Sequence, residues 1–581
     1  MGLFQQADKM EKLRQLTLGQ WVVGIFTLTV GFAVVVPVVA ILLMSLRKGL
    51  PGRAGPTTLV NYQEVFFDSS TYEVLLNTCY FALGTILIAL IFVVPMVWLL
   101  NRTDMPFKKT TYLLMIAGVL IPVFLRAIGW VLLLSPKIGL VNQLAMNLFG
   151  LREPPFSIYN IAGMAFVQGI SFVPAAFFML SAAYHAMDPA LEEAAYASGV
   201  SKFRTFLKIN VPITTPAIAA VMVYLLMTAL SVFEAPAILG MPSGIFVLSS
   251  LIYFAVNPQV GLPNYGLAGS YGFIMMVLGV LTGYLYFQVV KEGRKYVVVT
   301  GRGYRPKLIE LGGFKPLAVA FVSFYFALEI VMPFTVLLWA SLLPYLQMPS
   351  VEALAQISLT NYGDILQHAT LRPFINTLLL VAIAPALSMA LSVAISWIVV
   401  RTRSHLRGLL DNLAFLPHAT PNILFAVALS YLALVYRTTV PIYGTILIII
   451  IAHAISYISY GTRAMNSAMI QIHAELEEAG RACGVSTLRV ARRIVVPLVA
   501  PAVFNAWLWI GLLSYREVTM ALVLYGPGSE VVSTLSWKLW GSAWVPLVSA
   551  LGVVMMVLVL VLVFALQTFF SRLRVGGELH A

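Results

Sequence analysis

The chain has 581 residues, 60% of them hydrophobic and only 10% charged, with a net charge of +13. A soluble chain of this size carries about 25% charged residues, so the solvent for most of this surface is lipid. The positive charge alone would suit nucleic acid, but its distribution over the loops follows membrane topology instead, and no nucleic-acid partner is expected.

In chain order, a short segment with Lys9, Lys12 and Arg14 precedes the first apolar run. Twelve such runs follow, at roughly 21–45, 75–100, 111–135, 159–182, 213–238, 267–290, 316–343, 375–400, 409–435, 442–464, 497–524 and 545–570. Each has eighteen or more residues, enough to cross about 30 Å of hydrocarbon. The first has no small-x-small cleavage site after it and reads as a retained span. Barrel strands are about ten residues long and alternate, so the expected fold is all-α and polytopic, with 12 transmembrane helices. With the N-terminus inside, loops on that side hold 26 Lys and Arg and the opposite loops 8, which predicts cytoplasmic termini at both ends. Cys79 and Cys483 are too few and too far apart for a disulfide framework or metal knuckle, and read as small buried hydrophobes.

The two halves repeat each other. "LEEAAYASGVSKFRTFLKINVPITTPA" (191–217) returns 285 residues later as "LEEAGRACGVSTLRVARRIVVPLVAPA" (476–502), with 14 of 27 residues identical. "LVNYQEVF" (59–66) returns as "LTNYGDIL" (359–366), and Asn77-Thr78 as Asn376-Thr377. The division that follows is a cytoplasmic segment 1–20, a first transmembrane domain 21–290, a basic linker 291–315, a second transmembrane domain 316–571 and a tail 572–581. Six spans per half make the repeat parallel, with a pseudo-two-fold axis along the membrane normal.

The polar loops, 188–212 and 473–497, carry the functional signal. In the first, Asp188 is a candidate N-cap, Pro189 stands at N1, Glu192 and Glu193 lie in the first turns, and Gly199 supplies a terminating C′ residue. A second short helix over about 201–209 leads to Pro212 and Pro216 at the start of the fifth span. Ala194, Ala195 and Gly199 leave a surface of small residues that another backbone can approach. Two amphipathic helices resting on headgroups are the alternative, but they would favour Trp, Phe and Leu toward lipid.

The pattern E-A-A, three residues, G, nine residues, I-x-hydrophobic-P fits Glu193, Ala194, Ala195, Gly199, Ile209 and Pro212. It fits again at Glu478, Ala479, Gly480, Gly484, Ile494 and Pro497, with Gly in place of the second Ala. This resembles the loop of type I binding-protein-dependent ABC importer permeases, and nearly the whole chain resembles fused two-domain permeases of the ferric-iron and thiamine kind. "IPVFLRAIGW" and "GLVNQLA" are similar to polyamine-type permeases. The resemblance implies that Glu192, Glu193, Ala194, Ala195 and Gly199, with Glu477, Glu478, Ala479, Gly480 and Gly484, form coupling helices that dock on an ATP-binding subunit. It further implies two copies of that subunit, a periplasmic or lipoprotein substrate-binding protein, and a bacterial inner-membrane location. No Gly-Lys dipeptide occurs, so there is no G-x-x-x-x-G-K-[ST] phosphate loop. ATP and Mg then belong to the partner, and this chain is expected to be no enzyme and to carry no cofactor or metal of its own.

Charged residues inside spans mark pathways or partnered positions. Glu234 and Glu517, at corresponding depths, could form an acidic pair facing a cationic solute, or each could cap backbone or pair with an arginine; Arg516 adjoins Glu517. Arg126 is either a pathway residue or a side chain snorkelling to the interface. Asn61-Tyr62 and Asn361-Tyr362 either help seat the binding protein or anchor their own loops. The resemblance favours ferric iron as solute, with thiamine, polyamines and phosphonates open. A twelve-span secondary transporter is the rival from another class, and the two docking loops count against it. A membrane enzyme or scaffold would need clustered catalytic groups, which the sequence lacks.

Overall fold

The computed structural model describes residues 2–53, 55–186, 190–293, 308–473 and 475–578. Asp188, Pro189 and most of the basic linker lie outside the described residues. The fold among them is helical, with three isolated bridges and no strand. Among the described residues, nine helices are long and apolar enough to cross a membrane, and four bent helix pairs raise that to as many as 13. Each of the twelve apolar runs falls on one of these.

Two runs expected to be continuous spans are broken instead. Lys108–Leu120 and Val123–Leu134 meet at 95°, and Arg407–Ala419 and Asn422–Val435 at 101°. The cause is Pro122 in one and Pro421 in the other. A proline pushes the residue before it out of the helical region, and Ile121 and Thr420 are both extended, at ψ 126° and 120°. A milder bend of 42° divides Ile446–Ser456 from Ile458–Ile470. A pair absent from the sequence reading, Pro236–Ser243 with Leu248–Val256, bends by 76°.

The loop's second helix is also corrected. Lys202–Thr205 does not end before Pro212 but runs through a π-helical turn, Phe206–Asn210, directly into Val211–Ser231. The second copy repeats this with Thr487–Val490, the turn Ala491–Val495 and Val496–Arg516. Pro212 and Pro497 lack the N–H a helix needs and crowd the carbonyl four residues back. One extra residue in the preceding turn relieves both faults. The foot of each loop is therefore the first turn of a span.

Two compact units emerge, and neither follows chain order. One comprises residues 1–65, 252–276 and 371–534; the other comprises 66–251, 277–370 and 535–581. In the first unit, Gly2–Ser45 packs against the bent pair Arg407–Ala419 and Asn422–Val435. In the second, Met332–Ser341 packs against Val123–Leu134 and against Val545–Glu578. Close approach in the second unit is made possible by Gly129, where a Cβ would stand 2.8 Å from Pro333. Each unit thus joins a helix that opens one sequence half to the bent pair of the other half.

The cysteines depart from expectation, for both are exposed. Cys79 lies on the stripe of Tyr72, Leu76, Tyr80, Leu83 and Leu87, exposed apolar side chains along the Ser69–Arg102 helix. An apolar face open to lipid accepts cysteine as readily as a core does.

Candidate functional site

The two loops share one backbone geometry. Ala190–Ala197 ends at Gly199, whose φ is +77°, and Glu475–Ala482 ends at Gly484, at +76°. Val200 N–H donates to the Ala195 carbonyl at 3.0 Å and Val485 N–H to the Gly480 carbonyl at 3.2 Å. These are the six-to-one bonds that close a helix through a left-handed glycine. Ala195 and Gly480 face inward. A Cβ on Gly480 would stand 3.0 Å from both Val490 and Ile494, so the second small residue lets the loop's own helices pack. Ala194, Ala479, Glu478, Gly199 and Gly484 are exposed. The Glu193 side chain lies outside the described residues.

Glu192 and Glu477 turn inward and are buried. Arg102 Nε lies 3.2 Å from Glu192 Oε1, with both side chains under 5% exposed, and Asn210 donates 2.9 Å to the same carboxylate oxygen. Arg102 also donates 2.9 Å to the Tyr184 carbonyl. In the other unit, Arg401 Nε lies 2.9 Å from Glu477 Oε1 and donates 2.7 Å to the carbonyls of Met469 and Ile472. The arginines sit at helix C-termini and the glutamates in first turns, each charge where the helix dipole favours it.

The span-end carboxylates bind helix N-termini. Glu234 follows the end of Val211–Ser231 and accepts from Phe124 N–H at 3.0 Å, at the start of Val123–Leu134. Glu517 caps the end of Val496–Arg516 and accepts from Met520 N–H at 2.9 Å and the Asn422 amide at 3.5 Å. The oxygen that takes the 2.9 Å bond from Met520, Oε2, is also 3.6 Å from His453 Nε2. Arg516 closes the last turn, half-buried. Arg126 does not snorkel. It is 1% exposed, lies 3.1 Å from Glu329 Oε1, and donates to the carbonyls of Gly118 and Ile121 that the bend at Pro122 leaves without helical partners. A buried guanidinium here completes a broken helix.

The paired Asn-Tyr segments fasten helix ends. Asn61 donates to the carbonyls of Ser45 and Arg47 at 2.8 and 2.9 Å, and Tyr62 OH meets Ser45 Oγ at 2.8 Å. Asn361 donates to those of Ser341 and Leu343, both at 2.9 Å, and Tyr362 meets Ser341 at 2.7 Å. Both asparagines are buried against helix ends, the geometry of a loop anchor. Thr78 accepts from Leu248 N–H and Thr377 from Val532 N–H, so the repeated Asn-Thr holds the helix that follows the fifth and eleventh runs.

Sequence reasoning missed Arg102, Arg401 and His453. A signal existed for the first two: Arg-Thr recurs at 102–103 and 401–402, in step with the other repeats. Their charge was read as topology alone.

Residues 386–575 match the family model described as "Binding-protein-dependent transport system inner membrane component". The ferric transport system permease protein FbpB of Actinobacillus pleuropneumoniae is 27% identical over 398 residues, 67% of this chain and 56% of that protein. The Fe(3+)-transport system permease protein FbpB 2 of Haemophilus influenzae is 24% identical over 66% of this chain and 71% of its own length. The spermidine/putrescine transport system permease protein PotC of the same species is 27% identical over 27% of this chain and 60% of its own. The chain thus spans little more than half the length of the first of these relatives. A bacterial ABC transporter that imports alginate gives a TM-score of 0.32 at 17% identity, covering 49% of this chain and 97% of that one.

Proposed function

We propose that this chain, whose residues 386–575 belong to the family of binding-protein-dependent transport system inner membrane components, is the permease of an ATP-driven importer of ferric iron. The observation that carries the reading is the matched pair of loops. Each presents an exposed alanine and a left-handed glycine on its outer side, while a buried arginine and glutamate hold its inner side. Two copies of an ATP-binding subunit, one per loop, would supply ATP hydrolysis with its Mg, and a substrate-binding protein would deliver the solute. Because each loop continues into a span through a π-turn, displacement of the loop turns the span as a rigid body. The chain itself performs no covalent step; it lies in the bacterial inner membrane with both termini on the cytoplasmic side.

Ferric iron stands first because two relatives bearing that name align over about two thirds of this chain. The shorter polyamine matches keep a polyamine as the second reading. The carboxylates of Glu234 and Glu517 are engaged by backbone amides, which supports a helix-capping role for both. The test is uptake into proteoliposomes holding the chain with an ATP-binding subunit and a substrate-binding protein from the same organism. ATP-dependent uptake of labelled ferric iron, and not of spermidine, is the expected result. Uptake that persists without an ATPase and collapses with an uncoupler would instead mark a secondary transporter.

A further inference from the structure

We infer that Arg102 and Arg401 are positioning residues, each binding its loop to the ends of two helices of the membrane-spanning segments so that loop and helices move as one body. Arg102 is the last residue of the Ser69–Arg102 helix. Its guanidinium reaches the Tyr184 carbonyl, in the last turn of Ile161–Ala186, and the Glu192 carboxylate, in the first turn of Ala190–Ala197. Through Glu192 and Asn210 the same cluster touches the foot of the following span. Three helix ends and the base of a fourth therefore meet at one planar cation. Arg401 joins Arg372–Arg401, the end of Ile458–Ile470 and Glu475–Ala482 in the same way. Only a forked side chain can donate in these directions at once; a lysine is a single point charge.

Stability alone does not explain the pairs. Buried ion pairs are weak contributors to stability, since desolvation of both partners offsets their attraction, and apolar replacement of both is often neutral. Yet both copies retain the arginine, the glutamate and the helix-end carbonyl. The accessory Asn210, by contrast, has Val495 as its counterpart. What the two sites share is the joining of loop to helices, the property a transmitted motion requires. The inference rests on the loops being the docking surface for an ATP-binding subunit.

The experiment has two arms. In the first, the full chain alone, with Cys79→Ser and Cys483→Ser, carries spin labels through Ala197→Cys on the loop and Leu87→Cys on the Ser69–Arg102 helix. A single narrow distance distribution is expected. Arg102→Met with Glu192→Met should widen it at least about two-fold at a temperature where the chain is still folded; Glu192→Gln serves in its place should the double variant not fold. A distribution that stays narrow overturns the inference. In the second arm, the same variant without labels is assembled with its partners, and solute moved per ATP hydrolysed is expected to fall roughly ten-fold. An unchanged ratio also overturns it. Failure of the parent chain to bind any ATP-binding subunit would remove the functional reading, and the distance arm would still report on the clasp.

Discussion

The loop around Glu192 and the loop around Glu477 have the same turn, the same left-handed glycine and the same inward ion pair, but different surroundings. Asn210 shares the carboxylate in one, whereas Val495 stands there in the other and belongs to an apolar cluster with Met469 and Val499. The larger contrast lies at the bent pairs. In one unit the break at Pro122 encloses the Arg126–Glu329 pair; in the other the residue at Arg126's place after Pro421 is Phe425, buried and apolar. Identical backbone breaks can thus be completed by charge or by hydrocarbon. The repeat preserves geometry more strictly than it preserves the means of filling it.

Four sets of substitutions probe that contrast, in descending size. Arg126→Leu strands Glu329 in the core and should cost about 3–5 kcal/mol, whereas Arg126→Leu with Glu329→Leu should recover part of it, the carbonyls of Gly118 and Ile121 still lacking a donor. Thermal unfolding in detergent measures both, and a single variant as stable as the parent would show that the pair is not needed. Asn61→Ala and Asn361→Ala each leave two helix-end carbonyls without donors, at about 1–3 kcal/mol. Hydrogen exchange around residues 45–47 and 341–343 should quicken equally, and an unequal response would mean the anchors differ in kind. Gly199→Ala and Gly484→Ala force a side chain into positive φ, at about 1 kcal/mol. The loss should appear as faster exchange in the loop and not as a lower unfolding temperature. Glu234→Gln keeps an acceptor for Phe124 N–H, so stability should change by less than about 0.5 kcal/mol and uptake should be retained. Uptake lost at unchanged stability would place the charge in the solute path.

Much of this was legible in the chain. The twelve apolar runs landed on helices or bent pairs because the required length and hydropathy are imposed by lipid, whatever the tertiary context. Gly199 and Gly484 were readable as helix stops because few other residues tolerate their φ. The breaks at Pro122 and Pro421 were signalled by proline, yet long apolar runs around them read as one span each. The orientation of Glu192 could not be read, since adjacent glutamates in a first turn look alike until one meets Arg102, ninety residues earlier in the chain. Arg126 was ambiguous for the same reason: its partner, Glu329, comes from the opposite half of the sequence.

The composition of the two units also sets a timetable for synthesis. The unit that holds residues 1–65 takes its largest part from 371–534, and the other needs residues up to 581. At about 5–20 residues per second, roughly fifteen seconds to a minute passes between translation of residue 65 and of residue 371. Through that interval the first span is in place without the bent pair it packs against. A nascent chain cut at the basic linker would carry one whole sequence repeat and neither finished unit, so the linker makes certain that both are born on one ribosome.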